Sequence, residues 1–333
     1  MEDRYISAYL SSLADLISFQ DGSNKDKLRS LSSEAPAPVS SLARAILSSD
    51  GQSIMGLLDN LAGVASRLGS FESWFNLGLI AQRCFSRETA LDYYRHSLDA
   101  AWAAGDQKMV ARAHNNIGSV YAEMVCWDKA KDCYEKGLEA LRENGSAQDR
   151  LPLLNNLARL HQLRLEWEPM LRRYREALAG LQEAGDSRGA AGVMVALGEA
   201  YQQQGDLASA GDWLKKSLEE SEKTGHRSGA ARALFSLGSL YRMEGDLGRA
   251  EDCYTRAMKR FQELKDREGY ARACSRLGDV HFQCGRHDQA RRCHQESLET
   301  WERQNAPSSV ASELNSLGFI SVETGQWDDS VQY

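Results

Sequence analysis

The sequence predicts an all-α solenoid built of antiparallel helix pairs, preceded by a helical N-terminal segment. Three observations predict it. A pattern of residues recurs every 40 positions with no insertion or deletion. Within each unit the apolar residues fall 3, 4 and 7 apart, the spacing of an amphipathic helix. Glycine, often followed by aspartate, interrupts that spacing at the same two places in successive units.

The period is read from an apolar–glycine pair. The glycine slot holds Gly78, Gly118, Ala158, Gly198, Gly238, Gly278 and Gly318, and the preceding slot Leu77, Ile117, Leu157, Leu197, Leu237, Leu277 and Leu317. Twelve residues after this anchor stand Ala90, Ala130, Met170, Ala210, Ala250, Ala290 and Ser330. Sixteen after it stand Tyr94, Tyr134, Tyr174, Leu214, Tyr254 and His294. Internal similarity at a fixed period is the mark of a repeat architecture, in which each unit buries its apolar face only against its neighbours.

Residues 1–69 lie outside this register. Short helices are expected near Tyr5–Phe19, Lys25–Ser32, Ser40–Leu47 and Ser53–Leu68, with Ser32–Ser41 as a turn or linker. This segment is expected to be a helical cap or a set of degenerate repeats, with a separate effector or docking module as the alternative. Residues 70–333 hold six full repeats and a seventh cut off in its second helix at Tyr333.

In each repeat the breaks at Gly205–Asp206 and Gly245–Asp246 separate a helix A from a helix B. Those at Gly105–Asp106, Gly185–Asp186 and Gly225 end the unit. Glycine supplies the positive φ that follows a helix, and aspartate caps the next one. Pro152 and Pro169 are expected in the first turn of their helices, where proline is tolerated. Glycine inside helix A and alanine inside helix B give up helix propensity or bulk so that two backbones can approach. Met170 breaks that rule, so the third repeat is expected to pack differently from the others.

Bulk properties exclude some functions. The chain has 333 residues and a net charge of −7, against nucleic-acid or anionic-membrane binding by bulk charge. Its acidic N-terminus has no secretory pattern, and no stretch reads as a membrane span. Seven cysteines without a scaffold spacing suit a reducing, cytoplasmic setting. There is no phosphate-binding loop, nucleophile elbow, HExxH or dinucleotide fingerprint, so neither an enzyme nor a cofactor is expected.

Leu237, Gly238, Tyr241, Ala250, Tyr254 and Ala257 make one unit that resembles the tetratricopeptide repeat (TPR) signature. The resemblance covers residues 70–333. It departs from the family's commoner ~34-residue unit by a longer helix B and no closing proline. The 40-residue variant is similar to the arrays of kinesin light chains, Pins-type adaptors, Rap-type regulators and MalT-like activators. It implies a right-handed superhelix with helix A lining a concave groove. It also implies groove positions six, three and two residues before the anchor and one, four and five after it.

Those positions hold Asn76, Asn116 and Asn156, with Asn115 and Asn155 beside them, an amide ladder suited to an extended peptide because a carboxamide both donates and accepts. They also hold Arg159, Arg232, Arg242, Arg272 and Arg276, suited to carboxylate or phosphate, offset by Glu199 and Asp279. Gln202 is a further non-repeating polar residue. Phe75, Phe235 and Phe282 offer apolar pockets. Intramolecular pairing of the arginines with carboxylates is the competing reading. His281, His287, Cys293 and His294 look like a zinc cluster, but the repeat accounts for His281, His294 and Cys293, and no metal is expected. Trp127, Trp167 and Trp327 share one slot and are expected to pack, while Arg172, Arg173, Arg291 and Arg292 are expected on the solvated face of helix B.

The expected function is a scaffold that binds a peptide segment of another protein, acidic or phosphorylated, in the groove. One alternative is the sensor part of a larger signalling protein, with a protease, kinase or DNA-binding effector beyond Tyr333. Another is a Rap-type phosphatase-like regulator, for which Gln20 is the only glutamine before the linker. Expected partners are proteins or peptides, not nucleic acid or membrane, with a homo-oligomer through the open C-terminal half repeat as a further partner class.

Overall fold

The computed structural model describes residues 2–18, 24–48, 51–84 and 86–325. Among these the chain forms seventeen helices and no strand. It divides into two compact units, residues 1–164 and 165–333. Gln20, Trp327, Ser330 and the second helix of the seventh repeat lie outside the described residues.

The first unit opens with α1 (Glu2–Ser18), α2 (Asn24–Glu34), α3 (Ala37–Ser48) and α4 (Gly51–Leu68), followed by α5 (Phe71–Arg83). The α1 helix packs on α2, α3, α4 and α5. Leu10, Leu13, Leu42, Leu58 and Leu61 are fully buried in one core with Leu77 and Ile80 of the first repeat. The linker expected over residues 32–41 shrinks to the Ala35–Pro36 step, because α2 runs on to Glu34 and α3 starts at Ala37. Pro38 falls in the first turn of α3, where its missing N–H costs nothing.

The repeats then alternate. In the first unit α6 (Arg87–Ala104), α7 (Gln107–Glu123), α8 (Trp127–Ala140) and α9 (Ala147–Leu163) follow α5. The second unit holds α10 (Trp167–Glu183), α11 (Ser187–Gln204), α12 (Leu207–Lys223), α13 (Arg227–Met243), α14 (Leu247–Glu263), α15 (Arg267–Gln283), α16 (His287–Arg303) and α17 (Pro307–Glu323). Odd-numbered members from α5 onward are A helices and even-numbered members are B helices. Within each unit successive helices pack together, and A helices also touch the next A helix, as α7 does α9 and α11 does α13.

Capping follows the sequence. Asp186, Asp206, Asp246 and Asp266 each accept a bond from the backbone N–H three residues on. Ser146 and Asp149 form a reciprocal capping box. Hydrogen bonding from Ser146, aided by Lys108 at 3.0 Å, holds the Asp149 carboxyl below its usual value. That box sets the start of α9 at Ala147, so Pro152 lies in the second turn and not the first. Pro169 does fall in the first turn of α10.

At most helix ends of the repeats, between the two helices of a pair as well as between pairs, one residue adopts a left-handed conformation. Glycine fills the slot at Gly105, Gly185, Gly205, Gly225, Gly245, Gly285 and Gly325, but Val125, Leu165, Lys265 and Asn305 fill it elsewhere. A β-branched side chain at φ +61° is strained by about 1–2 kcal/mol. Val125 is also 63% exposed, so it gains little by burial. Val125→Gly is expected to stabilise the first unit by about 1 kcal/mol after the entropic cost of glycine. Urea denaturation checks this, and a loss of stability would refute the strain.

The anchor glycine is required by close approach. A Cβ on Gly78, Gly118 or Gly238 would stand 2.5, 2.6 or 2.8 Å from the ring of Tyr94, Tyr134 or Tyr254. All three tyrosines are buried to within 1%. The alanines twelve residues on, Ala90, Ala130, Ala210, Ala250 and Ala290, are fully buried. The division between the two units falls inside the third repeat, the one in which Ala158 and Met170 replace the small residues of both slots.

Candidate functional site

Where one A helix meets the next, three clefts open, and the same repeat slots line each of them. In the first unit a cleft of about 300 Å³ is lined by Ala122, Glu123, Trp127, Tyr134, Asn156, Arg159, Leu160 and Leu163. In the second unit one of about 270 Å³ is lined by Glu199, Gln202, Gln203, Phe235, Ser236, Ser239 and Met243. Another of about 310 Å³ is lined by Arg242, Asp279, Phe282, Gln283, His294, Asn315, Ser316, Phe319 and Ile320. The lining comes mainly from one, four and five residues after one anchor and from three and two before, and one and five after, the next. Helical geometry puts these positions on one face.

Each cleft exposes one large apolar side chain. Leu163 is 60%, Met243 53% and Phe319 55% exposed. Leu163 and Phe319 are absent from the sequence-based candidates. Their signal is a departure from polar character at slots one and five after the anchor, visible only once those slots are known to face a cleft. Trp127, expected to pack, does so against the core around Tyr134 while also lining the first cleft.

The amide ladder is wired internally. Asn156 donates to Asn115 Oδ1 at 2.9 Å, Asn115 to Asn116 Oδ1 at 3.3 Å, and Asn116 to the Tyr94 hydroxyl at 3.2 Å. Tyr94 donates to Gln82 at 2.9 Å and Gln82 to the Glu123 carboxylate at 2.5 Å. Both ends of this chain, Asn156 and Glu123, line the first cleft. Asn115 and Asn116 are thus half-buried connectors, Asn155 is half-buried and Asn76 is buried.

The arginines divide into two groups. Arg272 lies over the Phe235 ring at 5.2 Å, and Arg112 lies over Phe75 in the matching slots of the first unit at 4.8 Å. Phe75 is buried, so it offers no open pocket. Arg276 pairs with Asp279 at 3.0 Å. Among the described residues Arg159, Arg232 and Arg242 have no ion pair, and Arg159 and Arg242 line clefts. Glu199 accepts a 2.7 Å bond from Ser236, and Gln202 reaches the Met243 sulfur at 2.9 Å, both inside the second cleft.

Beneath the third cleft lies a buried acid–base group. His294 is 1% and Glu313 4% exposed. Their Nδ1–carboxylate distance is 2.7 Å, and His294 Nε2 stands 3.7 Å from Asp279. His281 is also buried, which pushes its imidazole below the usual value. Its neighbour Glu251 takes two bonds from Arg286, at 3.0 and 2.7 Å, which hold that carboxyl down. Among the described residues no group of three or more His, Cys, Asp or Glu is placed to hold a metal ion. No described helix is long and apolar enough to cross a membrane.

Helix pairs in a 40-residue register, with lined A–A clefts, define a helical repeat protein with a groove-type surface. The chain belongs to the tetratricopeptide repeat family, whose models match residues 109–183, 189–263 and 271–303. No curated protein matches. Among solved structures the chain is similar to a signal transduction ATPase with numerous domains from Pyrococcus horikoshii that carries a tetratricopeptide repeat sensor. That likeness has a TM-score of 0.64 and 12% identity, over 87% of this chain and 44% of that one. Aspartyl phosphate phosphatase F from Bacillus subtilis aligns with a TM-score of 0.61 and 12% identity, over 100% of this chain and 92% of the other. The apo quorum sensor NprR from B. thuringiensis gives 0.61 and 14%, over 100% and 95%. At these identities the likeness shows the fold, and in the latter two it extends over α1–α4.

Proposed function

We propose that the chain is a non-catalytic scaffold that holds an extended segment of a partner protein along its A helices. The observation that carries this reading is the recurrence of one cleft design. An exposed apolar side chain, five residues after the anchor in two clefts and one after it in the third, stands beside fixed polar groups at neighbouring A-helix slots. Leu163 in the first unit, and Met243 and Phe319 in the second, would each seat an apolar residue of a bound segment. Asn156, Ser236 and Asn315 would meet its backbone or polar groups. Arg159 and Arg242, free of internal ion pairs, favour a carboxylate or phosphate near the apolar anchors. Arg272 and Arg276 contribute less, because Phe235 and Asp279 already engage them.

Screening the full chain against acidic, phosphorylated and neutral peptide arrays, then measuring affinity by fluorescence anisotropy, tests this. Arg159→Glu and Arg242→Glu are each expected to weaken the best acidic binder about tenfold or more, as loss of a charge-assisted hydrogen bond does. Arg303→Glu, on the exposed side of α16, should leave it unchanged. Binders indifferent to both groove reversals would sink the proposal.

A second reading is a sensor module within a larger signalling protein. It is favoured by the likeness to the tetratricopeptide repeat sensor of the ATPase, where the aligned part is 44% of that chain.

A further inference from the structure

In the first and sixth repeats the residue four before the anchor, on helix A, meets the residue fifteen after it, on helix B. The first repeat shows the contact directly, with the Trp74 and Tyr93 rings 5.7 Å apart. The other repeats fill these two slots with His114 and Cys133, Leu154 and Arg173, Met194 and Trp213, and Leu234 and Cys253. Only the sixth fills both with cysteine, Cys274 on α15 and Cys293 on α16. The helices cross closely there, since a Cβ on Gly278 would meet the His294 ring at 2.7 Å.

The two thiols are free. Cys274 Sγ donates to the Cys293 carbonyl oxygen at 3.3 Å, which brings the two cysteines together across the helix pair. A third group completes the cluster. Glu296 accepts a 3.7 Å contact from Cys274 Sγ and a 2.5 Å bond from the Tyr270 hydroxyl. Tyr270 and Glu296 line a surface cavity of about 460 Å³ that shares no lining residue with the A–A clefts, an entry for a small oxidant. Cys293 is half-buried while Cys274 is 1% exposed.

We propose that Cys274 and Cys293 form a reversible oxidation site, in which a peroxide converts the pair to an intramolecular disulfide joining the two helices of the sixth repeat. Cys293 attacks as thiolate. Its sulfur takes one oxygen of the peroxide as the O–O bond breaks, giving a sulfenic acid and, after protonation, one water. The Cys274 sulfur then attacks the Cys293 sulfur, its proton passing toward Glu296 and on to the leaving hydroxide, which departs as the second water. Two thiols are oxidised, and one peroxide is reduced to two waters. The division of labour follows from the pairing. The Cys274 side chain holds the Cys293 thiol below its usual value, and that of Cys293 raises the Cys274 thiol. The same-slot cysteines Cys133 and Cys253 have no thiol partner, and burial pushes both up to about 11.

The test uses the full reduced chain. Near neutral pH, Cys293 is expected to be alkylated by iodoacetamide about tenfold faster than Cys133 or Cys253, because the thiolate is the reactive form. After limiting hydrogen peroxide, tryptic peptides 273–276 and 293–303 should be recovered as one species lighter by two hydrogens, and separately after reduction. Cys274→Ser should leave a sulfenic acid at Cys293 that dimedone captures, and Cys293→Ser should leave Cys274 unmodified. Recovery of both wild-type peptides unlinked while the exposed Cys284 oxidises would overturn the proposal, as would linkage of Cys293 to Cys253. Both readouts use the unsubstituted chain, so they hold even if a variant fails to fold.

Discussion

Glu313→Ala is expected to cost about 3 kcal/mol, the effect of removing one partner of a buried charge-bearing pair. The repeat pattern shows why this residue matters. Its slot, five before the anchor, holds Ser73, Ala113, Leu153, Val193, Ala233 and Ala273 in the other repeats, all buried and none charged. Opposite it, His294 occupies a slot filled elsewhere by tyrosine or leucine. Two departures from the pattern thus meet at 2.7 Å, each accounting for the other. The double variant His294→Tyr with Glu313→Ala restores the residue types of the other repeats. It is expected to recover most of the loss, since apolar replacement of a buried pair is often neutral or better. Hydrogen exchange of the α17 amides together with urea denaturation gives the cycle, and a Glu313→Ala loss below about 1 kcal/mol would mean that the pair is idle.

Gly238→Val is expected to be comparably damaging, at about 3 kcal/mol, through overpacking. Its Cβ would start 2.8 Å from the Tyr254 ring, and that ring is fixed by Phe235 at 5.7 Å and by a 3.0 Å bond from its hydroxyl to Ser239. Helix propensity alone predicts the opposite sign for replacing a mid-helix glycine. Gly192 in α11 provides the contrast. A Cβ there meets nothing within 4 Å, so Gly192→Ala should stabilise by up to about 1 kcal/mol. Thermal melts of the two variants should move in opposite directions. A shift in the same direction would show that close approach is not what keeps Gly238.

The fold was legible because its determinants repeat. Leu77, Gly78, Ala90 and Tyr94 recur at fixed offsets, and each such residue has one structural task at its slot. Legibility failed where tertiary context overrode a local signal. The proline-containing stretch around Pro36 reads as a linker, yet both flanks are helical because Leu28, Val39 and Leu42 are drawn into the shared core. Val125 and Leu165 do not read as left-handed residues, since only the register assigns them that conformation. Pro152 reads as a first-turn proline until the Ser146 capping box sets the helix start one turn earlier.

The candidate site was legible only in part. Slot numbers locate the cleft-facing residues, and Asn156, Arg159, Glu199, Gln202, Arg242, Asp279 and Phe282 do line clefts. Sequence does not say which of them are already engaged. Phe75 lies buried beneath Arg112, and Asn115 and Asn116 spend amide groups on each other. The cysteine pair was hidden for a different reason. Its members are 19 residues apart and meet only across two helices, so neither looks unusual beside its own repeat-mates.

The unbroken 40-residue spacing has a consequence for how such a chain can change. Removing or duplicating any stretch that runs from one slot to the same slot in the next unit joins like to like. Most buried side chains in the altered chain meet the residue type they met before, departures such as the His294–Glu313 pair excepted. Length can therefore drift by whole units through recombination while the core is preserved. Bonds that span units, such as Asn156 to Asn115, would not survive such an exchange unless both members travelled together, so groove chemistry is inherited in blocks larger than the unit of folding.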